Sequence, residues 1–200
     1  KEIENHLKNG RAELKNENYN NALNEFNKAI KIDPNSWEAY HNRAFSKQRL
    51  KDYEGAILDI NSAIKLNSNP WSESYNLRAY LKGQLKDYYG ALNDLNKAII
   101  IDKNNAFSYG LRAYYKFKVK DLNGSLSDYS SAINNNPEDF EMYTGRADIY
   151  LRLEEFNNAV KDYKKAINLG NINQQFLAYN YLIDTYYIIG TYFEIPSIIE

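Results

Sequence analysis

Tyr40-His41-Asn42-Arg43-Ala44 returns as Tyr75-Asn76-Leu77-Arg78-Ala79, as Tyr109-Gly110-Leu111-Arg112-Ala113 and as Tyr143-Thr144-Gly145-Arg146-Ala147. The Tyr-x-x-Arg-Ala phrase recurs at intervals of 35, 34 and 34 residues. A period of this size marks a repeat array, in which each unit buries its apolar face only by stacking on its neighbours. Enzymes converge unlike residues on one pocket, whereas repeats present similar positions along a surface. The phrase therefore points to a binding scaffold.

Each unit reads as two apolar-periodic stretches of about fourteen residues separated by a short polar turn. Tyr40, Arg43, Ala44 and Lys47 mark one helix face, and Tyr53, Ala56, Ile60, Ala63 and Ile64 mark a second after the turn at Lys51-Asp52. Asp52 is placed to cap that second helix. The second-helix pattern recurs as Tyr19, Ala22, Phe26, Ala29; as Tyr88, Ala91, Leu95, Ala98; as Leu122, Ser125, Tyr129, Ala132; and as Phe156, Ala159, Tyr163, Ala166. Small residues at fixed places let helix axes approach closely. Asp33-Pro34, Asn69-Pro70 and Asn136-Pro137 stop three of the second helices, and Gly170-Asn171 stops the fifth.

Composition narrows the function classes. Lys plus Arg number 25 against 26 for Asp plus Glu, a balance with no global attraction for nucleic acid or an anionic membrane. The chain has no cysteine, which excludes disulfides, thiolate zinc sites and cysteine nucleophiles. Its two histidines, His6 and His41, do not make a metal cluster. No apolar stretch reaches the roughly 20 residues of a membrane span. No serine nucleophile motif has a histidine partner, so no catalytic residue, cofactor or metal is expected. The chain begins at Lys1 rather than Met, which suggests a longer or processed product.

On these residues the chain resembles the tetratricopeptide repeat, a 34-residue antiparallel helix pair with small residues at positions 8, 20 and 27. Position 8 is Gly10, Ala44, Ala79, Ala113 and Ala147; position 20 is Ala22, Ala56, Ala91, Ser125 and Ala159; position 27 is Ala29, Ala63, Ala98, Ala132 and Ala166. The resemblance implies an all-α, right-handed α-solenoid of five repeats over residues 3–173 (3–36, 37–70, 72–105, 106–139 and 140–173). Residues 174–200 are expected to form a degenerate or truncated sixth repeat or a capping segment. There Ile183, and later Ile195 and Pro196, fall where small residues belong.

Departures from the family pattern are informative. Position 7, commonly Leu in the family, holds Arg43, Arg78, Arg112 and Arg146. Sixteen residues after each stands Asp59, Asp94, Asp128 or Asp162, while the first repeat carries Asn9 and Glu25 instead. Arg and Asp arrive together, which predicts a structural ion pair bridging the two helices of one repeat.

The resemblance also implies that the first helices line a ligand groove. Carried onto this sequence, it nominates an aromatic row, Phe45, Tyr80 and Tyr114, flanked by His41, Asn76, Arg49, Lys118 and Arg152. Such a face suits an extended peptide or a helix. The family's carboxylate clamp for chaperone tails is not reproduced in any frame, and Glu73 or Glu141 would repel a carboxylate. The expected function is a non-catalytic scaffold for a peptide or protein partner of unassigned identity, with no nucleic acid and no membrane span. Alternatives are self-association through the apolar terminal segment (Tyr186, Tyr187, Ile188, Ile195, Ile198, Ile199) and a recruiting segment of a longer enzyme. Compartment is left open, a cytoplasmic setting being favoured over export.

Overall fold

The computed structural model describes residues 1–190, all of whose regular structure is helical. Two units divide the chain, Lys1–Lys103 and Asn104–Glu200. The first contains α1 (Glu2–Lys15), α2 (Tyr19–Ile32), α3 (Trp37–Arg49), α4 (Tyr53–Leu66), α5 (Ser72–Gln84) and α6 (Tyr88–Ile101). The second contains α7 (Ala106–Lys118), α8 (Leu122–Asn135), α9 (Phe140–Arg152), α10 (Phe156–Leu169) and α11 (Ile172–Ile189). Ile195, Pro196, Ile198 and Ile199 lie outside the described residues.

Local chemistry sets the helix ends. The side chains of Asp52, Asp87 and Asp121 accept from the backbone N–H of Gly55, Gly90 and Gly124 and so cap α4, α6 and α8. Ser36, Asn105 and Asp139 cap α3, α7 and α9 in the same manner, and Asn171 with Gln174 forms a capping box on α11. Asp33 and Asn136 adopt extended conformations because each precedes proline, which ends α2 and α8. The turns inside the helix pairs place Glu17, Lys51, Lys86, Lys120 and Glu154 at φ of 59, 65, 65, 67 and 60°, in the left-handed region. After α11 the left-handed residue is Gly190, at φ 77°.

Within the first unit each helix packs on the next, and α1 touches α3 as α3 touches α5. Within the second, α7 through α11 pack in sequence, with α7 against α9 and α9 against α11. The cores are built on the small positions: Ala22, Ala44, Ala56, Ala79, Ala91, Ala113, Ala147 and Ala159 are fully buried. Ser125, fully buried at one of them, donates its hydroxyl to the Ala113 carbonyl at 2.8 Å, so the substitution leaves no orphaned donor. Gly10 replaces Ala in the first repeat because Phe26 fills the space: a Cβ there would lie 2.5 Å from the ring. In α11 the fully buried small residue is Ala178, and Ile183 is half-buried. The two-residue link Gly170-Asn171 starts this helix at Ile172.

The recurring phrase is one interlocked device. Arg78 Nε and Nη2 donate to Asp94 Oδ2 and Oδ1 at 2.8 and 2.6 Å, a bidentate pair across α5 and α6. Arg43 with Asp59, Arg112 with Asp128 and Arg146 with Asp162 repeat this fork at 2.6–2.8 Å. Each guanidinium also lies over the tyrosine three residues before it, at 5.3–5.7 Å. Lys47, Lys82 and Lys116 add a second cation to Asp59, Asp94 and Asp128 at 2.7–2.8 Å. In the fifth repeat Tyr150 takes the place of that lysine, and Asp162 has Arg146 alone among the described residues.

The arginine fork also ties repeats together. Arg43 Nη1 donates to Asn27 on α2 and Arg78 Nη1 to Asn61 on α4, each at 2.8 Å, and Arg146 Nη1 donates to Ser130 on α8 at 3.2 Å. In the first repeat Glu25 takes the acidic place. His6 at 2.7 Å, followed by Lys28, holds its carboxyl below the ordinary value.

Candidate functional site

The first helices of each unit carry the residues that register places on one face. In the first unit these are Phe45, His41 and Arg49 on α3 with Tyr80 and Asn76 on α5. Phe45 is exposed at 39% although apolar, and Tyr80 is half-buried. Asn76 is buried at 5% exposure, so it faces neighbouring helices more than solvent. Arg49 lies over the Tyr19 ring at 5.0 Å, which fixes its stem while leaving the residue exposed.

His41 has the most unusual environment on this face. Its Nε2 is buried and makes no hydrogen bond, and burial pushes the imidazole below its ordinary pKa against the opposing pull of Glu73. The neutral form is therefore favoured. Trp71 stands edge-on to His41 at 6.3 Å and to Trp37 at 4.5 Å. Trp71 follows the inserted Asn69-Pro70 turn and is itself 47% exposed. The two tryptophans and the imidazole thus form one aromatic cluster, with Phe45 one helical turn beyond His41 on α3.

In the second unit, Tyr114 is 42% exposed and Phe107 58%. Lys118 reaches over the Tyr114 ring at 5.0 Å and the Phe117 ring at 5.9 Å, while Arg152 lies over Phe117 at 4.7 Å. Two cations from adjacent first helices, α7 and α9, meet at one aromatic ring. Neither has a salt bridge among the described residues, in contrast to the engaged Arg43, Arg78, Arg112 and Arg146.

Asp148 is the residue that sequence reasoning passed over. It stands where the preceding repeats carry Phe45, Tyr80 and Tyr114, so a single break in an aromatic column was the available signal. The buried hydroxyl of Tyr163 donates to its Oδ1 at 2.5 Å. One edge of the carboxylate is desolvated against that phenol, and this burial pushes its pKa above the usual carboxylate range even though the residue as a whole is exposed. Tyr163 and Tyr129 are in turn pushed above the ordinary phenol value, mainly by burial.

No group of three or more potential metal ligands occurs among the described residues. Nor is any helix there long and apolar enough to cross a membrane.

Tetratricopeptide repeat models match residues 10–51, 38–70, 72–105 and 140–171. No curated protein sequence matches the chain. Among solved structures, PilF of Pseudomonas aeruginosa superposes with a TM-score of 0.84 at 16% identity, covering 98% of this chain and 88% of its own. MamA of Desulfovibrio magneticus RS-1 gives 0.77 at 16% identity, covering 84% and 95%. YrrB, described as a TPR protein with an unusual peptide-binding site, gives 0.70 at 16% identity, covering 86% and 88%. At these identities the likeness is one of fold.

Proposed function

Because the chain belongs to the tetratricopeptide repeat family, we propose that it is a non-catalytic interaction module whose first-helix faces hold a peptide or protein partner. The observation that carries this reading is the pairing of exposed aromatics with uncommitted cations. Phe45 and Tyr114 remain about two-fifths exposed beside Arg49, Lys118 and Arg152, none of which enters a salt bridge among the described residues. Aromatic anchors flanked by arginine are the composition of binding hot spots.

Photo-crosslinking tests the reading directly. Benzoylphenylalanine replaces Phe45 or Tyr114, and a control replaces Tyr89, a second-helix residue that is 74% exposed. Partner adducts are expected at 45 and 114, and Tyr80→Ala with Tyr114→Ala is expected to reduce capture. Equal labelling at 89, or capture indifferent to the double substitution, overturns the proposal.

A second reading is favoured by one feature of α11, where Ile172, Phe176, Tyr187 and Ile188 are exposed at 77, 70, 66 and 61%. Exposed apolar surface on a helix invites association. Light scattering should then show a dimer that Phe176→Ser with Ile188→Ser dissociates. A strict monomer at all concentrations removes this reading.

A further inference from the structure

We propose that Asp148 and Tyr129 form a main-chain subsite, in which the N–H of one extended peptide residue donates to Asp148 and its C=O accepts from the Tyr129 hydroxyl. The inference rests on the interaction reading above and assigns it a chemistry at one place in the second unit.

Three observations converge there. First, the buried second-helix position that holds Phe26, Ile60 and Leu95 in the first three repeats holds Tyr129 and Tyr163 in the fourth and fifth. The phenol hydroxyls thus enter on α8 and α10, the two second helices that pack on α9, which carries Asp148. Second, Tyr129 is 8% exposed and its hydroxyl makes no hydrogen bond among the described residues, yet that oxygen is not sealed off, so the tip of the phenol opens to solvent where a ligand can meet it. A half-sheltered hydroxyl bonded only to water can exchange that water for a ligand acceptor at little cost. Third, the backbone is shaped to admit that hydroxyl. A Cβ on Gly145 would lie 2.6 Å from Tyr129 Cζ and 2.8 Å from its oxygen, so only glycine lets the phenol pass to this side of α9. Gly145 and Asp148, three residues apart, share one helix face.

The chemistry of the groups selects the ligand. Tyr163 occupies Asp148 Oδ1 and holds the carboxylate in place, leaving Oδ2 as an acceptor. Tyr129, close enough to feel the Asp148 charge, supplies a donor. The complementary group carries a donor and an acceptor on the same side, as the N–H and C=O of one residue in a β-strand do. Arg152, one helical turn beyond Asp148, acts on its carboxylate electrostatically, and with Lys118 nearby on Phe117 it disfavours a cationic side chain here. A neutral main chain fits, and recognition at this point is then indifferent to partner sequence.

The test uses N-acetyl-trialanine N-methylamide as probe, titrated at millimolar concentration into the isotope-labelled full chain and followed by NMR. Shifts are expected at Gly145, Asp148 and the Tyr129 ring. Methylating the central amide nitrogen of the probe should weaken binding about fivefold, as should Tyr129→Phe, which keeps the ring and removes the hydroxyl; that is the worth of one net hydrogen bond. The probe variant requires no change to the protein, so misfolding cannot mimic the result. Undiminished binding of the methylated probe overturns the proposal, as do shifts caused by N-acetylglutamine N-methylamide but not by trialanine. Partner adducts at 114 with a silent Asp148 sink this inference alone, whereas loss of adducts at 45 and 114 sinks the interaction reading.

Discussion

Replacing Arg146 should destabilise the protein more than replacing Arg78, although the two arginines hold the same place in their repeats. Asp94 is fully buried and Asp162 is 3% exposed, so each carboxylate depends on its partners for the charge it carries. Removing one member of a buried pair costs about 3–5 kcal/mol, because the other is left uncompensated. In Arg78→Met, however, Lys82 remains 2.7 Å from Asp94. A charged hydrogen bond of that kind is worth about 1.5–3 kcal/mol, so roughly half the loss is offset. In Arg146→Met nothing replaces the guanidinium, since Tyr150 stands where the lysine would be. The secondary losses, to Asn61 at 2.8 Å and Ser130 at 3.2 Å, are similar and largely cancel. Arg146→Met is thus expected to cost about 3–5 kcal/mol and Arg78→Met about 1.5–2.5 kcal/mol less. Repeat arrays need not unfold as one unit. Hydrogen exchange of α6 and α10 amides, alongside urea denaturation by circular dichroism, therefore gives the local free energies. Arg146→Met with Asp162→Leu should recover most of the loss. Equal costs for the two arginines, or a cost below about 1 kcal/mol for Arg146→Met, would refute the argument.

Gly10→Ala is expected to destabilise by about 1–3 kcal/mol through overpacking against Phe26, and Phe26→Leu in the same chain should relieve most of it; additive losses in urea titrations would show that the ring is not the obstacle. The first unit should also lose stability in acid through His41. Burial holds the folded imidazole below its ordinary value near 6.5, so beneath that pH the unfolded chain takes up a proton that the folded chain refuses. This contribution is fully present above about 6.5 and is lost as pH falls toward the folded value. The fluorescence of Trp37 and Trp71, the chain's two tryptophans, reports the transition, and His41→Phe should flatten its pH dependence between about 6.5 and 5. An unchanged slope would exclude His41 as the source.

The repeat and its helix pairs were legible because close packing demands small residues at fixed intervals, and Ala44, Ala56 and Ala63 are spaced accordingly. The Arg–Asp spacing was legible for the same reason, since a two-residue covariation at constant separation reflects one geometry. What lay hidden was the third bond of Arg43, Arg78 and Arg146, to the preceding repeat. Its signal was a column of Asn27, Asn61 and Ser130, two residues after the acidic position, and such small polar residues also suit a solvated helix face. The candidate site was harder. Register places Asn76 on the first-helix face, but exposure depends on the neighbouring helix, which buries it. Asp148 depends on Tyr163, which reaches it from the paired helix, a meeting that no local pattern announces. The start of α11 depends on a link of only two residues, which the 34-residue period does not foresee.

The left-handed residues at the turns inside the helix pairs give the protein a periodic set of tuning points. Glu17, Lys51, Lys86, Lys120 and Glu154 are all solvent-exposed. Each side chain at positive φ forgoes about 1 kcal/mol relative to glycine or asparagine, residues that accept this conformation more readily. Asparagine substitutions there act on separate turns, so their effects should sum. Thermal resistance could then be raised step by step while Tyr114, Asp148 and Arg152 stay as they are, which separates how long the scaffold lasts from what it holds.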